Sequence, residues 1–271
     1  GRTIFQVPVT EAPAGSPPQE AGWLAEGMTM TQRPSIALFG DSITQFSFSE
    51  GGWGACLADT YQRRADILNR GYSGYNTRWA LRLLEQVFPE SREPPVAATM
   101  FFGANDAALP DGCAARQHVP VAEYKENLAR MVAVVRSRGV RSIILITPPP
   151  VHEPARLEDL RARGEQGVEL PERTNEAVGQ YARAVCEVAQ DLDAPVVNLW
   201  KAFQQQEGWQ TSLLNDGLHL TAAGNALVFQ ELMAAIGSDP RLADLDPEAI
   251  PFDGPYHRDI DPTNPGLAFN L

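Results

Sequence analysis

Four short polar segments carry side chains that could do chemistry together. Gly40-Asp41-Ser42-Ile43-Thr44 offers a serine hydroxyl. Gly71-Tyr72-Ser73-Gly74-Tyr75-Asn76-Thr77 is a glycine-rich turn, and Gly103-Ala104-Asn105-Asp106 offers a side-chain amide. Asp216-Gly217-Leu218-His219 places a carboxylate three residues before a histidine. Taken singly, each is an ordinary turn or helix cap. Taken together, they supply the parts of acyl transfer to serine. Ser42 is the nucleophile, but a serine hydroxyl is weak at neutral pH and needs a base. His219 is that base, because neutral imidazole accepts a proton near pH 7. Asp216 would hold the other ring nitrogen and stabilise the imidazolium. The backbone N–H groups of Ser42 and Gly74 and the side-chain amide of Asn105 would meet the oxyanion. Glycine at 74 lets the backbone approach closely.

Such groups must be held at one place by a rigid frame. Short apolar runs precede the segments: Ser35 to Phe39, Asp66 to Asn69 and Ala97 to Phe102, with two more at Arg141 to Ile146 and Pro195 to Leu199. They are mostly apolar without alternation, as in strands covered on both faces. Helical stripes fall between and after them. One is Trp79, Leu83 and Val87 beside Ala80, Leu84 and Phe88; the next is Tyr124, Leu128, Met131, Val132 and Val135. Val178, Tyr181, Val185, Ala189 and Leu192 form a third, and Ala222, Ala226, Phe229, Met233 and Ile236 a fourth with Thr221 as its N-cap. Alternating strands and helices predict an α/β fold, a three-layer α/β/α sandwich with a five-stranded parallel sheet. In such sheets ligands bind beyond the carboxyl ends of the strands, where the polar segments fall. Residues 1–33 read as an irregular leader, 34–237 as the catalytic domain, and 238–271 as an extended, proline-rich tail packed on it.

Composition narrows the partners. The 271 residues carry 22 Lys plus Arg against 34 Asp plus Glu, a net charge of −12. That balance speaks against binding nucleic acid or an anionic membrane surface. Cys56, Cys113 and Cys186 are too few and too scattered for a disulfide framework or a structural zinc site, which suits a reducing compartment. No apolar run is long enough to span a bilayer, so stable membrane insertion is not expected. No secretory signal is visible, and an intracellular, cytoplasmic location is the expectation. The chain starts at Gly1, so an upstream targeting segment stays open. No cofactor and no metal are expected. Asp41, Asp106, Asp216 and His219 lack the dense ligand spacing of a di-metal site. His118, His152 and His257 have no motif around them. Asp41 is assigned to stabilising the turn.

The four blocks resemble those of the GDSL-type SGNH hydrolases, a family named for Ser, Gly, Asn and His in separate blocks, here Ser42, Gly74, Asn105 and His219. Glu50-Gly51-Gly52-Trp53-Gly54, Arg70 to Arg78 and Thr147-Pro148-Pro149-Pro150 are similar to the isoamyl-acetate-hydrolysing esterase branch. Two positions depart from the pattern. Ala104 stands where the branch usually has glycine, and Ile43 gives Gly-Asp-Ser-Ile in the first block. The resemblance implies a flavodoxin-like sandwich, no cofactor, and a serine carboxylester hydrolase acting on small acetate-type esters through an acyl-enzyme on Ser42. Gly51-Gly52-Trp53 would serve as a pocket lip or as packing, and Thr147 to Pro150 as an apolar acyl wall or packing. Carbohydrate deacetylation and acyl transfer to an alcohol use the same residues. A catalytically silent binding or scaffold protein has no need of the full set. The acyl chain length, the natural alcohol and the oligomeric state are left open.

Overall fold

The structure is a computed structural model that describes residues 33–164 and 169–268. The expected leader, residues 1–33, lies outside the described residues except for Arg33.

The five strands are β1 (Ser35–Gly40), β2 (Asp66–Gly71), β3 (Ala97–Phe101), β4 (Ser142–Ile146) and β5 (Val196–Val197). They form one parallel sheet in the order β2-β1-β3-β4-β5. Around them lie α1 (Ser42–Gln45), α2 (Trp53–Thr60), α3 (Thr77–Ala80), α4 (Leu84–Val87) and α5 (Val121–Ser137). After β4 come α6 (Glu153–Ala162), α7 (Asn175–Asp191), α8 (Leu199–Gln204), α9 (Trp209–Ser212) and α10 (Ala222–Ser238).

Successive side chains of a strand point to opposite faces. Phe39, Met100 and Leu145 therefore enter one core with Tyr124, Leu128 and Met131 of α5 and Val178 and Val185 of α7. Leu38, Phe101 and Ile144 enter the other with Trp53 and Leu57 of α2, Phe203 of α8, and Val228 and Leu232 of α10. Helices cover both faces, which is why the strands read as continuous apolar runs. After α10, Leu242, Leu245 and Ile250 join the second core, and the Tyr61 hydroxyl donates to Leu245 O at 2.5 Å.

Three sequence expectations change in detail. The stripe from Trp79 to Phe88 is not one helix: a 3-10 turn at Leu81–Leu83 separates α3 from α4, and Ala80, Leu84, Val87 and Phe88 form its buried side. On α10 the buried side is Leu227, Val228, Leu232 and Ile236, while Ala222 is exposed and Phe229 and Met233 are half-buried. That helix is apolar around most of its circumference, so spacing alone does not single out its inner face. The fifth strand is only two residues long because Leu199 already starts α8, capped by Asn198 Oδ1 accepting from Lys201 N at 3.0 Å.

The strand order sets the place of the site. The chain passes from β1 to one neighbour, β2, and then returns to β3 on the other side. This reversal opens a crevice beyond the carboxyl ends of β1 and β3. Gly40 is in register with Gly71 and with Phe101, so the three polar turns leave the sheet at one level.

Candidate active site

Ser42 is the first residue of α1, directly after β1. Asp41 caps that helix, its Oδ1 accepting from Ile43 N at 3.0 Å, the turn-stabilising part expected of it. The N–H of a first helical residue has no intrahelical partner and is free to serve as a donor. The Ser42 hydroxyl donates to His219 Nε2 across 3.0 Å, and His219 Nδ1–H donates to Asp216 Oδ2 across 2.7 Å. The second oxygen, Asp216 Oδ1, accepts from the backbone N–H groups of Leu218 at 3.0 Å and His219 at 2.7 Å. One carboxylate thus folds its own loop and fixes the imidazole. Burial pushes the Asp216 carboxyl up, but the hydrogen bonds from the His219 ring and backbone and from Leu218 outweigh it and hold the group below the usual carboxylate range.

Gly217 makes that loop possible. Its φ is +80°, and a Cβ there would lie 2.5 Å from His152 O and 2.6 Å from Arg156 N. The loop therefore sits directly on the start of α6, with His152 N–H donating to Gly217 O at 2.9 Å. From α6, Arg156 Nη1 reaches Asp216 Oδ2 at 3.1 Å, and from the residue after its end Arg163 Nη2 reaches the same oxygen at 3.3 Å.

The second turn reaches Ser42 through Ser73, which lines the same cavity, and the third turn is tied to the second. Gly74 has φ +78°, open to glycine and rarely to other residues. Asn105 is buried, and its Nδ2 donates to Tyr75 O at 2.9 Å, tying the third turn to the second. Its Oδ1 accepts from Arg173 Nη2 at 3.1 Å. Ala104, the departure from glycine, is buried, and its carbonyl accepts from Arg173 Nε at 2.6 Å. Asp106 Oδ1 accepts from Thr77.

A cavity of about 540 Å³ opens over Ser42 and His219. Phe46, Glu50, Gly52, Ser73, Arg163 and Asn225 are among its walls. The Phe46 ring stands edge-on to the imidazole, 6.4 Å between centroids. A second cavity, about 380 Å³, lies across Ser73 and is lined by Gly74, Tyr75, Trp79 and Gln117 among others.

Gly52 does border the cavity, but Trp53 is fully buried and its Nε1–H donates to Ile43 O at 3.1 Å. Its contribution is packing beneath the nucleophile turn. Thr147 to Pro150 are buried and form no part of the cavity wall, so the acyl-wall reading does not hold. Pro148 instead packs under Gly103, and Thr147 Oγ1 accepts from Trp200 N at 3.1 Å. A proline run after a strand predicts rigid extended backbone, but not the side on which it lies.

His118 Nδ1–H donates to Ala108 O at 2.6 Å, His152 precedes α6, and the His257 ring lies tilted against Tyr256, 4.5 Å between centroids. Among the described residues no group of three or more His, Cys, Asp or Glu side chains is gathered as a metal site. Arg156, Arg163, Glu172, Arg173 and Gln117 were not legible as site residues. The only signal is the adjacent Glu172-Arg173 pair before a capped helix, and adjacency does not reveal burial.

A five-stranded parallel sheet in this order, carrying Ser42, His219 and Asp216 at the crevice, defines an α/β hydrolytic fold with a serine–histidine–carboxylate site. The family model for GDSL-like lipase/acylhydrolase matches residues 36–232, and the chain belongs to that family. It is a carboxylic ester hydrolase. A GDSL esterase/lipase of Arabidopsis thaliana is 50% identical over 240 residues, 88% of this chain and 98% of that one. An isoamyl acetate-hydrolyzing esterase 1 homolog of Bos taurus is 46% identical over 239 residues, 87% of this chain and 91% of that one. Among solved structures, a lipase/acylhydrolase from Enterococcus faecalis matches with a TM-score of 0.58 at 26% identity, over 75% of this chain and 95% of that one. No helix among the described residues is long and apolar enough to cross a membrane.

Proposed function

We propose that this esterase cleaves small esters of short acids through an acyl-enzyme on Ser42. The observation that carries the reading is the unbroken line from Ser42 Oγ through His219 to Asp216, at 3.0 and 2.7 Å. Ser42 Oγ attacks the ester carbonyl carbon while its proton passes to His219 Nε2. The carbonyl oxygen becomes an oxyanion, met by the N–H groups of Ser42 and Gly74 and by Asn105 Nδ2. Asp216 keeps the imidazole in the tautomer that accepts at Nε2 and balances the imidazolium. Collapse breaks the ester C–O bond, and the alcohol leaves with the proton from Nε2. Water then repeats the sequence on the acyl-enzyme and releases the acid, restoring Ser42.

Short acyl groups are favoured by relatives named for isoamyl acetate and by a cavity of modest size shared with Phe46 and Glu50. The partner is a small-molecule ester. Hydrolysis of a panel tests this: alkyl acetates, butyrates and palmitates beside acetylated sugars, with Ser42→Ala as the blank. Acetate and butyrate esters should turn over fastest, with little product diverted to added alcohol. Preference for palmitate or for acetylated sugars, or dominant transfer to alcohol, would replace the proposal.

A further inference from the structure

Behind the site the buried charges form one connected chain. Arg156 Nε donates to Glu172 Oε1 at 2.6 Å, and Arg173 Nη1 donates to the same oxygen at 2.5 Å. Arg156 continues to Asp216, and Arg173 continues to Asn105. The side chains of Arg156, Glu172 and Arg173 are 7%, 2% and 3% exposed. Burying charges this deeply is costly, and apolar residues of similar size would often serve stability equally well. Their arrangement therefore calls for a reason beyond holding the fold.

We infer that Arg173 is a positioning residue that orients the Asn105 and Gly74 donors of the oxyanion hole together, and that Glu172 and Arg156 join it to the Asp216 that orients the base. The inference rests on the acyl-enzyme reading. A guanidinium has donors and no acceptor, whereas an amide has one face of each kind. Arg173 Nη2 meets Asn105 Oδ1 at 3.1 Å and Gln117 Oε1 at 2.7 Å, so both amides must turn their oxygens toward it. Their NH₂ groups then point away. Asn105 Nδ2 gives one hydrogen to Tyr75 O, leaving the other for an oxyanion. Gln117 Nε2 donates to Gly74 O at 3.0 Å, which fixes the Gly74–Tyr75 peptide and so steadies the Gly74 N–H through the turn the two share. The guanidinium also anchors the Asn105 turn directly, through Ala104 O. Without Arg173 the Asn105 amide loses one of the two partners that distinguish its faces, and only Tyr75 O still opposes a flip. The flipped amide would present Oδ1 to a developing negative charge, which repels it. The guanidinium donating to Oδ1 also polarises Nδ2–H into a stronger donor as the oxyanion forms.

The test is a double-mutant cycle between Arg173→Met and Asn105→Ala, read as kcat and KM on a short acetate ester. Arg173→Lys and Gln117→Ala are run beside it. Arg173→Met alone should lower kcat by about 10- to 100-fold with KM changed by less than about twofold. In the Asn105→Ala background the same change should cost less than about threefold, since its main target is gone. Arg173→Lys keeps the buried charge and should recover part of kcat. Gln117 is half-buried, so Gln117→Ala should keep its Tm yet lose about fivefold or more in kcat. Equal losses in both backgrounds, or kcat near wild type in Arg173→Met, would overturn the inference. If Arg173→Met does not fold, unchanged kcat in both Arg173→Lys and Gln117→Ala overturns it, and a fall in Gln117→Ala at unchanged Tm supports it. A Ser42→Ala protein as active as wild type would strike the acyl-enzyme reading instead, so the two failures are distinct.

Discussion

Asp106 Oδ1 accepts two hydrogen bonds from Thr77, from the backbone N–H at 2.9 Å and from Oγ1 at 2.5 Å, and so clamps the turn after β3 to the start of α3. The clamp is fully buried, and among the described residues Asp106 Oδ2 has no partner. Burial pushes its carboxyl up to about 7, although the Thr77 hydrogen bonds pull the other way. A carboxyl whose native value exceeds its unfolded value, about 3.9, is held more tightly as the acid in the native state. Ionising it costs stability as pH rises from about 4 to about 7. Asp106→Asn keeps the acceptor and cannot ionise. Its Tm relative to wild type should improve between pH 5 and pH 8 by at least about 2 °C. A constant gap across that range would contradict the assignment.

Asn105 serves both the loop and the reaction. Asn105→Ala should lower kcat by about 100- to 1,000-fold, the usual loss for one oxyanion donor. It also breaks the bonds to Tyr75 O and Arg173, so Tm should fall as well, by a few degrees. Measuring both on one sample separates the roles: a lower Tm with near-normal kcat would leave Asn105 a loop anchor only.

Asp216 should stay ionised far into the acid range, because its carboxyl lies below the usual value. The acid limb of kcat, with chemistry rate-limiting, should therefore carry no contribution from the Asp216 carboxyl. Asp216→Asn should cost about 10⁴-fold in kcat by favouring the wrong tautomer. Its stability follows the opposite sign to Asp106. A depressed carboxyl stabilises above about pH 4 and stops doing so as pH falls through its native value. The stability deficit of Asp216→Asn should thus shrink on acidification, which thermal unfolding at several pH values checks.

Phe46 is 51% exposed beside the imidazole, so its packing contributes little to the fold. Phe46→Ala should leave Tm nearly unchanged and raise KM severalfold for alkyl esters, with a smaller change in kcat. An unchanged KM would remove Phe46 from the substrate wall.

Local rules carried the sequence reading far. Strands buried on both faces, the Thr221 cap, and Ser42, His219 and Asp216 as one hydrogen-bonded line all follow from residue types at short spacing. What escaped depends on burial and on long-range approach. Arg156 and Asp216 are 60 positions apart, and Arg173 and Asn105 are 68 apart, yet each pair is in direct contact. Arginine and glutamate are ordinarily surface residues, and nothing local marks these as buried. The Thr147 to Pro150 run left acyl wall and packing both open for the same reason; its residues are buried, with Pro148 against Gly103, which is the packing alternative.

The central claim is that Ser42 Oγ becomes acylated with His219 as its base. Intact-mass and peptide mass spectrometry after treatment with a fluorophosphonate test it most directly. One adduct should appear on Ser42, in step with loss of ester hydrolysis, and His219→Ala should slow its formation strongly. Full inactivation with the adduct elsewhere, or active enzyme that carries an adduct on Ser42, would contradict the account.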